Sequence, residues 1–416
     1  MAEFKTSPGM RDILDPESGR WRRFVALFEQ VVENAGYRQV IPPLLEDIGV
    51  FQRVGEATDV VTKEMYDFVD KGERHVALRP EQTASVCRAF VQHRPTVPWK
   101  AWYSGPNFRY EKPQRGRFRQ FDQVGIEVLG ATDPFLDVEV IALGWSFLES
   151  LGLRKVSLQL NSLGEPADRE RFMAALAEYF ERHSSSLTPA SRASLAKNPL
   201  RVLDSKRTED APIIADAPRI ADFHSAEAAA HFSSVREGLA RLGIPFDVNN
   251  RLVRGLDYYR HTTFEYVGGT LDSAQNALGG GGRYDGLVAD LGGPATAGVG
   301  FAIGLDRTLL ACDDEGVFAP VASAVRVFVI DTTGGAEALA LTHEIRRAGY
   351  SADRAFEARS MKSQMKAADR SGAEVALIVG PDELGSDTVV VRPMRGGDQI
   401  TVPRSDILST LQKVLS

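Results

Sequence analysis

Apolar residues recur at helical spacing near the start of the chain. Trp21, Phe24 and Phe28 lie three or four positions apart, which is the spacing of one face of an amphipathic helix. Gly36 follows this run as the expected C-terminal cap. Residues 37–43 then end in two consecutive prolines. Because proline cannot donate to a sheet ladder, this stretch predicts a short strand that ends at a sheet edge or an interface.

The next patterned region predicts strands around a charged loop. Residues 98–130 have the pattern of two strands that flank a basic loop containing Pro113 and Gly116. If the two strands pair, they form a hairpin. Residues 135–151 have the spacing of an amphipathic helix, and residues 155–161 predict another short strand.

The pattern changes twice more along the chain. Residues 165–248 are rich in Ala, Glu, Arg and Ser and mostly helical in pattern, so they predict an inserted helical module. Residues 251–310 return to strand-like and glycine-rich patterns and end in an apolar helix. A Pro/Ala/Ser stretch at 319–324 resembles a linker. Residues 325–416 predict strands at 325–331, 375–379 and 388–391 and helices at 336–348, 361–371 and 405–415, which together form an independent α/β domain of about 90 residues.

Composition limits the classes of protein. The chain has 416 residues, enough for two or three domains, and its 43% hydrophobic and 25% charged residues are ordinary for a soluble globular protein. The net charge of −7 and pI of about 5.7 argue against a nucleic-acid binder that relies on bulk charge. Any contact with RNA must therefore come from local basic patches.

Cysteines and apolar runs exclude further classes. Cys87 and Cys312 lie far apart and outside any CxxC pair, so we expect neither a disulfide framework nor a zinc site. The N-terminus has no apolar signal core, and no run approaches the roughly 18 apolar residues of a membrane helix. The expected compartment is the cytoplasm.

The second strand of the predicted hairpin carries a candidate binding face. Side chains alternate along a strand, so the apolar residues of 124–128 share one face and Phe121, Gln123 and Glu127 share the other. In a hairpin, Arg109 can lie near Phe121 on that second face. A solvated strand face with a charged turn is the simpler interpretation. Five basic residues within eleven positions, with an aromatic ring beside them, favour a nucleotide site instead.

Two glycine-rich segments could approach a ligand closely. In the segment 298–307, Gly304 and Arg307 are three positions apart and share one helix face. Close strand–helix packing with a surface arginine is the alternative. The segment matches neither the dinucleotide nor the P-loop fingerprint. Glycines 279–282 form a second run, for which a flexible turn is at least as plausible as a ligand role.

Two further segments carry polar groups beside apolar ones. Arg254, Tyr258 and Tyr259 could line a pocket, although adjacent tyrosines on a strand face opposite ways, so at most one would point at a ligand. Core packing of these tyrosines is the alternative. Glu81 and Thr83 stand in or just before the first turn of a predicted helix, where a carboxylate is favoured by the helix dipole. Simple helix capping is the alternative there.

The order of these segments is more specific than any one of them. The chain contains LRPEQT, FRYE with its basic loop, QVGIE, LVRGLDYY, GGGGRYDGL and GFAIGLDR. This order resembles class II aminoacyl-tRNA synthetases, and LVRGLDYY and GGGRYDGL resemble the histidyl branch. The resemblance covers nearly the whole chain. It implies an α+β fold with an antiparallel catalytic sheet, a helical insertion and a C-terminal α/β anticodon-binding domain. The expected bounds are 1–164 and 249–320 for the catalytic core, 165–248 for the insertion and 325–416 for the last domain.

The resemblance also implies roles for individual residues. Arg254 and Arg109 are expected to be the catalytic cations. The residues expected to bind ATP are Arg109, Glu111, Arg117, Phe121 and Arg307. Those expected to bind histidine are Glu81, Gln82, Thr83, Arg109, Gln123, Glu127, Arg254, Tyr258 and Tyr259. The chain departs from the family at Tyr110, where histidine is frequent, and at Gln82, where glycine is frequent. Neither change removes a group expected to act in the chemistry.

The activity that the resemblance implies is the ligation of histidine to tRNA. ATP with Mg²⁺ would convert histidine to histidyl-adenylate and pyrophosphate, and histidine would pass to the 3′-terminal adenosine of tRNA(His). The resemblance further implies a homodimer formed through the segment that ends at Pro43. No editing domain is evident, and none is needed if polar pairing selects the imidazole. The helix with Arg359, Lys362 and Lys366 is either an RNA-facing surface or a solvated face.

Three other functions compete with this one. A non-catalytic regulatory subunit of histidine biosynthesis with the same fold is expected to lose the arginine of LVRGLDYY, residues of the FRYE loop and the C-terminal domain. All three are present here. A class II synthetase for another amino acid is expected to lack the run from Arg254 to Tyr259. A purely RNA-binding module leaves the arginines of the predicted nucleotide site unexplained.

Overall fold

The computed structural model describes residues 4–53, 59–196, 198–203, 205, 207–252, 258–271, 276–321, 325–357 and 359–415. The chain divides into two compact units, Met1–Pro320 and Val321–Ser416. Each unit has its own sheet and its own buried apolar core. The two units are therefore described separately.

The first unit contains strands and helices in alternation. Its strands are β1 (Arg38–Gln39), β2 (Leu45–Asp47), β3 (Tyr66–Val69), β4 (His75–Leu78), β5 (Trp99–Phe108), β6 (Gln120–Leu129), β7 (Val156–Ser162), β8 (Asp247–Val248), β9 (Arg260–Gly268), β10 (Ala277–Arg283) and β11 (Gly298–Gly304). Its α-helices are α1 (Glu17–Asn34), α2 (Ile48–Gln52), α3 (Asp59–Thr62), α4 (Thr83–His93), α5 (Pro134–Ser150), α6 (Pro166–Arg182), α7 (Pro189–Leu195), α8 (Leu200–Leu203), α9 (Ala211–Ala215), α10 (Ala226–Arg241), α11 (Leu287–Asp290) and α12 (Leu305–Glu315). Short 3₁₀ helices span Ser184–Ser186 and Ile220–Phe223.

One large sheet organises the first unit. Its eight strands lie in the order β1-β5-β6-β11-β10-β9-β7-β8, and the six central strands are antiparallel. The two edge strands, β1 and β8, each pair in parallel with their neighbour. A second, antiparallel sheet has the order β2-β4-β3. The α+β fold with an antiparallel sheet is thus confirmed, and only Arg38–Gln39 of the extended stretch 37–43 is a strand.

Two helices cover one face of the large sheet. Helix α1 buries Phe24 and Phe28, which meet Phe147 of α5 edge to face with ring centroids 4.9 and 5.0 Å apart. Such aromatic pairs stabilise a core beyond their buried area. Gly36 follows α1 with a left-handed φ of 87°, which a glycine adopts without a steric penalty. Asp133 begins α5 by accepting a hydrogen bond from the backbone of Phe135.

The glycine run at 279–282 is a central strand. Strand β10 pairs with β9 on one side and β11 on the other, so the flexible-turn interpretation of this run is wrong. A Cβ atom at Gly281 would overlap the carbonyl of Gly300 and lie 2.7 Å from the Cα of Phe301. Close approach of the two strands, rather than chain flexibility, is therefore the reason for glycine here.

The helical stretch 165–248 belongs to the first unit. Its long helix α10 packs against α5, and β8 returns the chain to the sheet beside β7. Asp168 stabilises the start of α6, because its carboxylate accepts a hydrogen bond from the backbone N–H of Glu165 over 3.0 Å. This helical stretch therefore adds β8 to one edge of the large sheet and covers α5 with α10.

The second unit is a five-stranded sheet covered by helices. Its elements are β12 (Val327–Asp331), α13 (Ala336–Arg347), β13 (Ala352–Arg354), α14 (Met361–Arg370), β14 (Val375–Val379), α15 (Pro381–Ser386), β15 (Thr388–Pro393), β16 (Ile400–Pro403) and α16 (Ile407–Val414), with a 3₁₀ helix at Arg404–Asp406. The strand order is β13-β12-β14-β15-β16, parallel in the first three strands and antiparallel thereafter. Periodicity predicted the longer elements. It missed β13, β16 and α15, which are too short to have a pattern.

Candidate active site

A cavity of about 230 Å³ opens on the face of the large sheet opposite α1 and α5. Strands β5, β6, β10 and β11 form its floor, and the first residues of α4 and α12 form part of its wall. The loop between β5 and β6, residues 109–119, forms another part of the wall. The predicted site residues that line it are Glu81, Gln82, Thr83, Arg109, Glu111, Arg117, Phe121, Gln123, Glu127, Tyr258, Tyr259 and Arg307. Arg254, the remaining predicted residue, lies outside the described residues.

Glycines in the floor leave the space that larger side chains occupy. Strand register places Gly125 beside Tyr103, and a Cβ atom there would overlap the tyrosine hydroxyl. Gly300 lies opposite Glu127, and a Cβ atom there would overlap its carboxylate. The floor is therefore shaped by missing Cβ atoms, and its polar groups come from the strands between these glycines.

Glu127 is the most buried acid of the cavity, with 1% of its surface exposed. Thr83 Oγ1 donates to its Oε1 over 2.7 Å and Tyr103 Oη donates to the same oxygen over 3.2 Å, while Tyr284 Oη donates to Oε2. Burial raises the pKa of Glu127 from 4.5 to about 8, against the lowering effect of these hydroxyl donors. The solvated-face interpretation of this strand does not hold at Glu127, because hydroxyl groups replace water there.

Glu81 both caps a helix and lines the cavity, two roles that the sequence pattern offered as alternatives. Its carboxylate accepts from the backbone N–H of Thr83 over 2.6 Å and from that of Ala84 over 2.9 Å, so it caps α4. The same side chain lines the cavity, and its burial raises its pKa. Helix capping and exposure to a ligand are therefore compatible here.

Two arginines are fixed by neutral carbonyl groups. Arg109 Nε donates to the carbonyl of Pro80 over 2.9 Å, and its guanidinium carbon lies 5.3 Å from the ring centroid of Phe121. Arg307 donates to the carbonyls of Gly116 and Ala277 over 3.3 and 3.2 Å. Burial lowers the pKa of Arg307, although it stays a cation at neutral pH. Both side chains are thus positioned before any ligand arrives.

The side chains of the adjacent residues Tyr258 and Tyr259 do not point to opposite faces of a strand. Strand β9 begins only at Arg260, so Tyr258 and Tyr259 precede it, and the strand-based prediction that at most one faces a ligand is wrong. Their ring centroids are 4.5 Å apart, and both rings line the cavity. A turn before the strand brings them to the same side.

Several residues of the cavity were not predicted from the sequence. Tyr103 and Tyr284 are two of the three hydroxyl donors to Glu127. Asp306 lines the cavity next to Arg307. Burial raises the pKa of Asp306 from 3.8 to about 6. Tyr284 stands in the GGGGRYDGL segment, which was noted for its glycines alone. Tyr103 could have been found from the expected hairpin register, which sets it beside Gly125.

The described part of the chain contains no group of three or more His, Cys, Asp or Glu side chains placed to hold a metal ion. Cys87 and Cys312 are both free and buried, and burial raises the pKa of each thiol. None of the described helices combines the length and the apolar character that crossing a membrane requires.

Family models, sequence relatives and a solved structure all point to the same family for this chain. A family model described as histidyl-tRNA synthetase matches residues 9–308, and one described as an anticodon binding domain matches residues 324–414. A protein named histidine–tRNA ligase from Geobacillus kaustophilus is 43% identical, covering 99% of this chain and 98% of its own. One of the same name from Nocardia farcinica is 45% identical, covering 100% and 99%. The crystal structure of apo S. aureus histidyl-tRNA synthetase superposes with a TM-score of 0.83 at 34% identity, covering 98% of this chain and 99% of that one.

The environment of Glu127 predicts a pH-dependent stability. Its folded pKa of about 8 lies above the ordinary 4.5, so the fold favours the protonated carboxyl. The resulting stabilisation is complete below pH 4.5 and is lost progressively until the pH has risen through 8. Each pH unit in that window removes up to about 1.4 kcal/mol. Glu127→Gln stays neutral, so its melting temperature relative to the parent chain should rise from pH 5 to pH 8 and then stay constant.

Thermal unfolding of the unliganded chain between pH 5 and pH 9 measures this difference. Glu149→Gln is the control, because Glu149 is an exposed carboxylate on α5. The difference in melting temperature between Glu149→Gln and the parent chain should not grow with pH in this way. A difference between Glu127→Gln and the parent chain that is the same at every pH would contradict the proton-linked interpretation.

Proposed function

The chain belongs to the histidyl-tRNA synthetase family, and we propose that the cavity beside Glu127 is where it joins histidine to ATP. As a histidine–tRNA ligase, the chain activates histidine with ATP and transfers it to tRNA. The regulatory-subunit alternative is not favoured, because full-length relatives carry the ligase name and the C-terminal domain is present. What remains to be proposed is which residues do the work.

One observation carries the assignment of the cavity. A buried carboxyl surrounded by hydroxyl groups lies in the same cavity as two arginines held by neutral carbonyls. The first environment suits a small polar group with N–H donors, and the second suits phosphate oxygens. A histidine and an ATP placed end to end match these two environments.

We assign the imidazole of histidine to the end at Glu127. A buried carboxyl gains most from a ligand that returns the hydrogen bonds it lost with water, and imidazole N–H groups do so. Tyr258, Tyr259 and Gln123 line the space around this end. Glu81, Gln82 and Thr83, at the start of α4, would face the α-amino group. An amino acid without a ring N–H would offer no donor to the cavity end at Glu127, which is the basis for rejecting it.

We assign the nucleotide to the end at Phe121. Its ring offers a stacking surface for adenine, with Glu111 near the base. Arg109 would contact the α-phosphate, and Arg117 and Arg307 would contact the outer phosphates. Arg117 now forms an ion pair with Glu111, so this pair would have to rearrange when a triphosphate arrives. ATP would enter as its magnesium complex, in which the metal shares the phosphate charge.

The reaction needs positioned cations rather than a protein nucleophile. An oxygen of the histidine carboxylate attacks the α-phosphorus, and the bond from that phosphorus to the β-phosphate bridging oxygen breaks to release pyrophosphate. Charge spreads over the phosphate oxygens in the transition state, where fixed guanidinium groups stabilise it. We propose Arg109 and Arg254 as these groups, the latter from the resemblance of LVRGLDYY to its family. The 3′-terminal adenosine of tRNA(His) then attacks the activated carbonyl, and AMP leaves.

The second unit offers a surface for single-stranded RNA. Phe356 is 60% exposed, and the guanidinium carbon of Arg354 lies 4.9 Å from its ring centroid. Three basic residues follow in the sequence: Arg359 precedes α14, so it is not on the helix as predicted, and Lys362 and Lys366 are on α14. An exposed ring beside cations is the arrangement that stacks an unpaired base. We therefore propose that this surface contacts the anticodon.

An exposed apolar patch supports a homodimer through the segment ending at Pro43. Ile41 is 78% exposed. Leu44 and Leu45 follow it in the chain, Phe68 and Val69 belong to the small sheet that contains Leu45, and all four are exposed. Several exposed apolar side chains in one part of a protein are typical of an interaction site. We propose that a second copy of the chain covers it.

We propose 1–164 and 249–320 as the catalytic core, 165–248 as its helical insertion and 325–416 as the anticodon-binding domain. Limited proteolysis should cut near residue 320 first. We place the chain in the cytoplasm, where tRNA charging supplies the ribosome, and cell fractionation would test this.

Exchange of pyrophosphate into ATP tests the assignment of the cavity. Among the twenty amino acids, histidine alone should support Mg²⁺-dependent exchange. Arg254→Ala should reduce that exchange by roughly 10²-fold or more, because the cation proposed to act at the reacting phosphate is lost, while the melting temperature stays unchanged. Arg23→Ala, an exposed arginine on α1, is the control. Near-normal exchange by Arg254→Ala would refute its catalytic role, and exchange with another amino acid would refute the pocket.

Replacement of Phe356 tests the RNA surface. Phe356→Ala should raise the KM for tRNA(His) about tenfold, since one stacked base contributes roughly 1–3 kcal/mol. Pyrophosphate exchange, which needs no tRNA, should be unaffected. Leu384→Ala removes a comparably exposed apolar side chain of the same unit and should leave the tRNA KM unchanged. An unchanged tRNA KM for Phe356→Ala would remove Phe356 from the RNA surface.

Sedimentation tests the proposed dimer. The parent chain should sediment at twice its 45.5 kDa mass. Ile41→Asp should sediment as a monomer at micromolar concentration, because a charge would be buried in an apolar interface. Leu242→Asp places the same charge on another exposed apolar position of the first unit and should remain dimeric. Dimers that tolerate Ile41→Asp would place the interface elsewhere.

A further inference from the structure

A short N-terminal segment, residues 8–11, lies across the loop 109–119 that forms one wall of the cavity. The backbone N–H of Arg119 donates to the carbonyl of Gly9 over 2.8 Å. Gly9 has a left-handed φ of 80°, and a Cβ atom there would lie 2.7 Å from Cγ of Arg119 and 3.0 Å from Cγ of Pro113. The segment and the loop are thus in direct contact at a position that favours glycine.

Arg11 joins this segment to two walls of the cavity. Its Nη2 lies 2.5 Å from Oδ1 of Asp306 at the start of α12, and its guanidinium carbon lies 4.4 Å from the ring centroid of Phe118 in the loop. The same group lies 5.7 Å from the ring centroid of Trp21 on α1. Phe118 and Asp306 both line the cavity. A single side chain therefore contacts three elements, two of which bound the cavity.

The charge of Asp306 makes its partner important. Its side chain is 7% exposed and immediately precedes Arg307 in the chain. Asp122 lies close enough to disfavour a second negative charge at this site, and burial raises the pKa of both carboxyls. In its ionised form, Asp306 without a cationic partner would repel a polyphosphate and would compete for the guanidinium of Arg307.

We propose that Arg11 is a positioning residue of the nucleotide site. It neutralises Asp306 and covers Phe118, and thereby keeps the loop 109–119 and the start of α12 in the arrangement that a triphosphate needs. Arg11 acts through these neighbours rather than on the nucleotide. The inference rests on the assignment of the cavity to ATP and histidine.

A purely structural role for Arg11 predicts a different result. Loss of a stabilising ion pair alone would lower the melting temperature and would leave both substrate KM values unchanged in the protein that remains folded. A role at the nucleotide end would raise the KM for ATP and spare the KM for histidine, because Glu127 and its hydroxyl donors make no contact with Arg11 among the described hydrogen bonds. The split between the two KM values therefore separates the roles.

Pyrophosphate exchange by the full-length chain is the experiment. Arg11→Met keeps an apolar stem over Phe118 and removes the charge, so the KM for ATP should rise about tenfold while the KM for histidine changes less than twofold. In Arg11→Met/Asp306→Asn the unpaired charge is gone, and the KM for ATP should fall back toward that of Asp306→Asn alone. Arg23→Met is the matched control, since Arg23 also lies over an aromatic ring, Phe318, and donates to one carbonyl. It should leave both KM values unchanged.

An unchanged ATP KM in Arg11→Met, or equal rises in both KM values, would overturn the proposal. So would a double variant with the full defect of Arg11→Met. Should Arg11→Met fail to fold, Arg11→Lys keeps the charge but loses the planar group, and it should raise only the ATP KM, by about threefold. An unchanged ATP KM there would also overturn it. If the parent chain shows no histidine-dependent exchange, the assignment of the cavity fails first, which is distinguishable from a failure at Arg11.

Discussion

The Glu127 carboxyl is held where water barely reaches, and three hydroxyl groups from three different elements take the place of water. Thr83 comes from the first turn of α4, Tyr103 from β5 and Tyr284 from the segment directly after β10. A buried polar group without partners would cost several kcal/mol, so these elements must meet at one point for the fold to be stable. The same requirement fixes the depth of the cavity and the polarity of its floor. Binding chemistry and fold stability thus depend on one cluster.

Glycine makes that cluster sterically possible. Gly125 and Gly300 leave room for the Tyr103 hydroxyl and the Glu127 carboxylate, and a Cβ atom at Gly298 would overlap the ring of Tyr284. Glycine weakens an isolated strand, and here that cost is offset because the strands are central and paired on both sides. Glycines in this sheet therefore serve tight packing around polar groups. A sequence rule that associates glycine runs with turns fails at β10, because glycine there allows the neighbouring strands to approach closely.

Local pattern predicted those parts of the site that lie on regular elements. Strand alternation placed Glu127 and Phe121 on one face, and the expected hairpin brought Arg109 to Phe121. The same rule failed at Tyr258 and Tyr259, since they precede the strand. Strand alternation could not predict contacts between distant segments. Arg11 and Asp306 are 295 positions apart, and no periodicity links them. The two short strands β13 and β16 were missed because three or four residues carry no period.

The two ends of the cavity are prepared by opposite means. At the end proposed for histidine, burial keeps the Glu127 carboxyl protonated, which leaves a polar surface matched to N–H donors. At the end proposed for the nucleotide, carbonyl oxygens of Pro80, Gly116 and Ala277 fix the positions of Arg109 and Arg307, and the carboxylates of Glu81 and Glu111 act on these cations only at longer range. Arg283, by contrast, is paired with the buried Asp137 and its charge is cancelled inside the protein. A cation held by neutral groups gains its full electrostatic partner only when a phosphate arrives. On the proposed assignment, these cations therefore remain available to the triphosphate and to the charge that develops on it during adenylation.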